Sequence, residues 1–292
     1  MIQAGLVLEG GGMKGIYTAG VLDFFMDKNL MFANCYGVSA GAVHLCSYLS
    51  GQRGRSYAVS VDYLDNKEYC SVESLLRTGD LFGAQMCYDE IPNRLNPYDY
   101  ETFNAYQGRA FAVVTNIETG RPEYLRLREM HRDITAVRAS ASLPLVSRIV
   151  EIDGKRYLDG GLSDSVPIQH SIVDGNRKNV VILTKEEGYR RKPAGHLGLI
   201  RMRYAKYPRL YELMAQRHIA YNNMLDYLDA QVQNGQAFVI RPRKKSDVGR
   251  IEKDKGKLTR LYEEGLRDAR ECYEELLDYL NESRPDGGME KE

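Results

Sequence analysis

The chain has 292 residues, 43% of them hydrophobic, with 40 Lys and Arg against 40 Asp and Glu. That length suits one large domain or two small ones, and a formal net charge of zero gives no global reason to expect nucleic acid as a partner. The N-terminal MIQAGLVLEGGG lacks the basic start and apolar run of a signal peptide, and no stretch nears the ~18 uninterrupted apolar residues of a membrane span, so a soluble, cytoplasmic protein is expected.

In chain order, AGLVLE (4–9) is a short apolar run ending in glycines and reads as a buried strand. From Met13 to Asp27 the apolar residues Ile16, Val21, Leu22, Phe24 and Phe25 suit a helix. MFANCYGVS (31–39) fits a second strand, and AGAVHLCSYLSG (40–51) a helix closed by Gly51. Strand, helix, strand, helix at this spacing opens a mostly parallel α/β sheet with helices on both faces. Further strands are predicted at 109–116, 122–127, 147–152, 155–159, 179–184 and 236–242, with a hairpin turn at Asp153 and Gly154. Tyr204 to Val232 reads as helical. Apolar residues from Leu258 to Leu280 predict one amphipathic C-terminal helix packed on the main domain. The expected organisation is an α/β domain over 1–240, a helical extension over 241–283, and a loose tail over 284–292.

Two glycine motifs carry the chemistry. GVSAG (37–41), made of Gly37, Val38, Ser39, Ala40 and Gly41, has the G-x-S-x-G form of a nucleophile elbow. There a serine sits on a tight strand-to-helix turn, and small neighbours relieve its crowding. An ordinary glycine-rich bend fits the same letters, so the motif alone is weak evidence. GGGMKG (10–15), made of Gly10, Gly11, Gly12, Met13, Lys14 and Gly15, is much rarer by chance. Directly after a strand, it leaves backbone N–H groups free to bind a phosphate or the oxyanion of an acyl-transfer intermediate. Gly10, Gly12 and Gly15 also satisfy the dinucleotide pattern G-x-G-x-x-G. That reading wants an acid at the end of the second strand, where Ser39 stands, and a P-loop would need Ser or Thr after Lys14.

A nucleophilic serine needs a base. His44, His131, His170, His196 and His218 sit in no recognisable loop signature, and His44 points away along the helix after Ser39. Asp159 in YLDGGLSDSVP (157–167), followed by Gly160 and Gly161, ends a predicted strand at the same sheet edge. Alone it reads as a common Asp-Gly turn. With two other glycine motifs at strand ends it becomes the better candidate.

The three motifs in this order, with RASASLPLV (138–146) before the aspartate, resemble the patatin-like phospholipase family over about residues 4 to 185. Residues 241–269 look like the tail of a bacterial branch of such proteins. The resemblance implies a Ser39–Asp159 dyad, an oxyanion hole within Gly10 to Gly15, and hydrolysis of a lipid or acyl ester by a phospholipase A or lysophospholipase-like serine esterase. Many relatives have an asparagine between the DGG and the following proline; here Asp164 or Ser165 occupies that region. No metal and no organic cofactor is expected. The alternatives are a soluble short-chain carboxylesterase with the same dyad and a silent lipid- or acyl-binding protein.

Lys14 could orient the glycine loop or attract anionic lipid headgroups; the plainer reading is a solvated lysine in the first helical turn. Between Lys185 and Arg217 nine Lys and Arg face three acids, interleaved with tyrosines. Such a stretch can rest on an anionic membrane surface or form a solvated helix face. The basic run Arg241 to Arg260 is expected to be neutralised by the acidic helix after it. Five cysteines (Cys35, Cys46, Cys70, Cys87, Cys272), odd in number and without a C-x-x-C pair, suit reduced thiols. Oligomeric state is not legible.

Overall fold

The computed structural model describes residues 1–195 and 197–282. The expected loose tail and His196 lie outside the described residues. Eight strands form one sheet: β1 (Ile2–Leu8), β2 (Phe32–Val38), β3 (Arg109–Asn116), β4 (Arg121–Leu127), β5 (Val150–Ile152), β6 (Lys155–Asp159), β7 (Asn179–Ile182) and β8 (Ala237–Ile240). The helices are α1 (Ile16–Asp27), α2 (Ala40–Leu49), α3 (Arg55–Val61), α4 (Val72–Thr78), α5 (Tyr100–Asn104), α6 (Met130–Ser140), α7 (Ile168–Val173), α8 (Leu197–Arg203), α9 (Pro208–Gln233), α10 (Lys255–Glu271) and α11 (Tyr273–Asn281). Among the described residues no helix is long and apolar enough to cross a membrane.

Strands β8, β7, β1, β2 and β3 run parallel. Alternation along them feeds two cores, because successive strand residues point to opposite faces. Leu6, Leu8, Val180 and Ile182 join α1, α2 and α10 on one face. Val7, Val181 and Leu183 join Ile168 of α7 and Leu225 and Leu228 of α9 on the other.

Beyond β3 the sheet turns antiparallel. Strand β4 pairs along β3 from Ala110 to Asn116, so β2 and β6 must share the opposite side of β3 in succession. Strand β2 ends with Val38 beside Val113, and β6 ends with Asp159 beside Val114. Two chain segments 120 residues apart thus stop at neighbouring points on one edge. The hairpin joining β5 to β6 turns at Asp153 and Gly154, with φ of 50° and 75°, as a two-residue turn with both φ positive requires.

Several boundaries differ from the sequence reading. The helix expected from Met13 begins as a 3-10 turn, Gly12–Gly15, before α1. Helix α9 starts at Pro208, whose missing N–H is harmless in a first turn. The single C-terminal helix is two, broken at Cys272, which caps both. The break lets α10 lie along α1 while α11 carries Tyr279 to β7, where its hydroxyl accepts the Asn179 N–H at 2.9 Å. The stretch from 52 to 108, in which no pattern predicted an element, holds α3, α4, a π-helical turn over Met86–Leu95, and α5.

Helices α1 and α10 meet through glycines. A Cβ on Gly20 would lie 2.1 Å from Tyr262 O, and one on Gly265 2.2 Å from Tyr17 O. Two buried hydrogen bonds cross this contact, Tyr17 to Asp268 at 2.9 Å and Tyr262 to Asp23 at 2.5 Å. Gly265→Ala must push the helices apart, and overpacking of this kind costs about 1–3 kcal/mol. Thermal unfolding should show a lowered Tm for Gly265→Ala; a Tm equal to the parent's would mean the contact yields freely.

Candidate active site

Ser39 follows β2 directly and precedes α2. Its φ of 55° and ψ of −122° place a non-glycine residue where side chains are rarely tolerated, at a cost of order 1–3 kcal/mol. Its surroundings hold it there. The Ser39 N–H donates to Ser140 Oγ at 2.9 Å, and Ser140 Oγ donates to Val113 O at 2.6 Å. The glycines are sterically required: a Cβ on Gly37 would sit 2.5 Å from Ala42 Cα, and one on Gly41 2.5 Å from Leu8 O. Val38 is fully buried, and the Ala40 side chain abuts Gly15.

Ser39 Oγ donates to Asp159 Oδ2 at 2.6 Å, and both residues are buried, at 7% and 2% exposure. The Asp159 N–H is tied to Ser142 O at 2.8 Å, and Asp159 Oδ1 accepts the Gly161 N–H at 2.8 Å. Gly160 lies so close to β3 that a Cβ there would be 2.0 Å from Val113 O. Burial pushes the Asp159 carboxyl above its ordinary value, while the Ser39 hydroxyl, Arg217, the Gly161 N–H and Arg250 pull it down.

The glycine loop packs on the serine. A Cβ on Gly10 would lie 2.9 Å from Ser39 Cβ, and Gly12 has φ of 59°. The Met13 N–H is already engaged, donating to Arg250 O at 3.0 Å. Among the described residues, no hydrogen bond engages the N–H groups of Gly10, Gly11 and Gly12. Lys14 is half-buried, and its Nζ donates to Ser246 O at 3.4 Å. It is a tie to the segment before α10 and not the solvated lysine expected. Glu9, fully buried at the end of β1, accepts Thr184 N–H at 2.6 Å, Thr184 Oγ1 at 2.9 Å and the Tyr221 hydroxyl at 2.6 Å, joining β1, β7 and α9.

A cavity of about 30 Å³ lies between Ser39 and the glycine loop; Asp159, Leu143, Gly161 and Ser165 also line it. Ser165 therefore stands at its wall, whereas Asp164 turns away to accept the Tyr124 hydroxyl at 2.7 Å. A groove of about 600 Å³ shares Leu143 with this cavity and is lined by Leu145, Val146, Leu162, Ile200 and Met214. It adjoins the small cavity through Leu143 and three arginines, Arg191, Arg217 and Arg250, common to both.

Four cations that sequence reading did not connect also line the small cavity: Lys185, Arg191, Arg217 and Arg250. Three of them, Lys185, Arg191 and Arg217, belong to the basic stretch between Lys185 and Arg217. The fourth belongs to the run expected to be neutralised by α10. Arg243 does pair with Glu271, and Lys257 with Glu252 at 3.7 Å, but Arg250 has no ion-pair partner among the described residues. Only the basic composition of both stretches was visible in sequence; their convergence depends on how α9 and residues 241–254 pack.

No histidine lines this cavity among the described residues. His44 is buried against Gly15, its pKa pulled down to about 4 by burial. His131 stacks on Tyr100 and His170 on Tyr124, while His218 borders the groove.

A strained serine at a strand-to-helix turn thus lies against a buried carboxylate at one edge of an α/β sheet. Residues 6–172 match the family described as patatin-like phospholipase, and the chain belongs to that family. Residues 207–281 match a domain of unknown function, DUF6363. The chain is 32% identical over 184 residues to the uncharacterized protein YjjU of Escherichia coli strain K12, across 61% of this chain and 51% of that one. It is 24% identical over 189 residues to the probable lipid hydrolase 463L of invertebrate iridescent virus 6, across 60% of this chain and 65% of that one. The matched stretch thus spans between half and two thirds of these relatives. The fold resembles that of VipD from Legionella pneumophila, with a TM-score of 0.51 and 13% identity over 93% of this chain and 67% of that one.

The strain at Ser39 gives a test independent of chemistry. Ser39→Gly and Ser39→Ala both remove the hydroxyl, but only glycine relaxes at a φ of 55°. Denaturant melts should find Ser39→Gly more stable than Ser39→Ala by roughly 1 kcal/mol. The reverse order would mean that the backbone carries no strain there.

Proposed function

We propose that the protein is a serine acyl hydrolase acting on carboxylic esters of lipids, with Ser39 as nucleophile and Asp159 as general base. The observation that carries this reading is the 2.6 Å hydrogen bond from Ser39 Oγ to a buried Asp159, beside an apolar groove of about 600 Å³. A carboxylate with a reference pKa near ~3.9 is a weak base towards a hydroxyl. Burial strengthens it, and donors at the developing oxyanion lower what it must accomplish.

In the cycle, Ser39 Oγ attacks the ester carbonyl carbon as its proton passes to Asp159. The tetrahedral oxyanion accepts the unengaged N–H groups of Gly10, Gly11 and Gly12. Collapse breaks the bond to the alcohol, which departs with the proton from Asp159 and leaves an acyl ester on Ser39. A water then gives its proton to Asp159 and attacks that ester; the acid leaves as Ser39 recovers its proton. The groove favours a long acyl chain, since a short one would leave most of its apolar wall uncovered.

Fluorophosphonate should add once to the folded protein by intact mass, not at all to Ser39→Ala, and slowly to Asp159→Asn. No adduct on the folded parent would refute the activated serine.

The pH profile follows from the base. Only the charged carboxylate accepts a proton, so activity falls as pH drops through the Asp159 pKa. Burial raises that pKa, so the acid limb of kcat/KM should lie above the ordinary carboxylate range. Arg217 favours the charged form, and Arg217→Gln should shift the limb to higher pH. A limb that stays in place or moves down would show that Arg217 does not act on this base.

A further inference from the structure

Four cations crowd the cavity beside Ser39 with little to neutralise them. None of Lys185, Arg191, Arg217 and Arg250 forms an ion pair among the described residues. The acids acting on Lys185 and Arg217 are Glu9 and Asp159. Glu9 is already engaged by Thr184 and Tyr221, and Asp159 by Ser39 and Gly161. Four basic groups against these two acids leave the basic ones in excess at the cavity.

Their donors are aimed but unused. Arg217 spends Nε on Gly161 O at 2.7 Å, which fixes the guanidinium, and its terminal nitrogens have no hydrogen-bond partner among the described residues. The Arg191 guanidinium carbon lies 4.2 Å from the Tyr221 ring centroid, and its buried Nε has no partner among the described residues. Arg250 is anchored through its backbone carbonyl to Met13 N–H, and its side chain makes no hydrogen bond among the described residues. A fold that gathers guanidinium groups and holds them by rings and carbonyls, not carboxylates, keeps their forks free for an anion.

The transient oxyanion of ester cleavage does not account for them, because one charge is served by the glycine N–H groups. A phosphate monoester carries about −1.5 to −2 charges and three acceptor oxygens, which matches both the surplus and the planar donors. Arg191, Arg217 and Arg250 border the apolar groove as well as the cavity, so a charged headgroup and an acyl chain would meet at the scissile ester. A choline headgroup would add a cation where cations are already in excess.

We infer that Lys185, Arg191, Arg217 and Arg250 form a subsite for the phosphate monoester of an anionic lipid, which sets the headgroup preference of the proposed hydrolase. The inference rests on the acyl-hydrolase reading for its catalytic consequence but not for binding. All four cations lie outside residues 6–172, the stretch that carries the serine and aspartate motifs, and Arg217 and Arg250 lie within residues 207–281.

Two measurements on the full chain test it. The first is titration calorimetry of Ser39→Ala with 1-acyl-glycerol 3-phosphate, 1-acyl-glycerophosphocholine and monoacylglycerol of one acyl length, kept below micelle formation. The phosphate monoester should bind at least tenfold tighter than either other lipid. Adding Arg191→Gln or Arg250→Gln should abolish that preference, and Arg250→Lys should restore part of it. Inorganic phosphate should compete with the lipid. The second is kcat/KM of the parent on the same three lipids, whose ratio should follow the binding ratio.

Equal binding of the three lipids, or a preference that both Gln variants keep with an unchanged melting temperature, overturns the subsite. Inorganic phosphate that binds without competing with the lipid overturns the headgroup assignment and leaves a free-phosphate site. Tight, arginine-dependent binding without turnover or a Ser39 adduct would sink the hydrolase reading and leave the subsite standing.

Discussion

The molecule depends on how two strands share one side of a third. Strand β3 is flanked by β4 along its length, so β2 and β6 take turns on its other side, and the first stops where the second ends. Val38 and Asp159 occupy successive positions along β3, and the residue after Val38 must turn sharply out of the sheet. That residue is Ser39, and its hydroxyl meets the carboxylate at 2.6 Å. A register slip of one residue in β6 would send the carboxylate to the opposite face, so the pairing of Val114 with Asp159 is as necessary as either side chain.

Around this meeting point, small residues let backbone come close and polar residues tie it down. Gly37 and Gly41 admit α2, Gly160 admits β3, and Ser140 and Ser142 hold the serine N–H and the aspartate N–H from one short segment. Strain at Ser39 is thereby balanced by bonds on both sides, the arrangement expected where a side chain must be presented and not merely buried. Burial pushes the Asp159 carboxyl up, and the Ser39 hydroxyl, the Gly161 N–H and nearby cations, chief among them Arg217, oppose that push.

Much of this was legible because it is local. Glycine runs at strand ends, the G-x-S-x-G turn and the Asp-Gly-Gly turn are written in consecutive residues, and each strand lies within three residues of its expected bounds. What escaped depends on distant packing. Nothing near Arg217 announces that its Nε will reach Gly161, since that requires α9 to cross the far face of the sheet. Arg250 shows only as one member of a basic run until residues 241–254 fold over the glycine loop. The break at Cys272 was hidden because apolar spacing continues through it, and the segment 52–108 lacked any periodicity strong enough to mark its short helices. Ser140 was noticed for its small neighbours, whereas its part in holding the turn needed three-dimensional distances.

The bond from Met13 N–H to Arg250 O links a loop written at the start of the chain to a segment written near its end. Synthesis delivers the serine and the aspartate by residue 159, but the carbonyl that braces the glycine loop arrives about ninety residues later. On the ribosome Ser39 and Asp159 therefore exist well before the glycine loop beside them is braced. A growing chain is kept from a finished site until its last third has been made, and the order of the sequence itself acts as the timer.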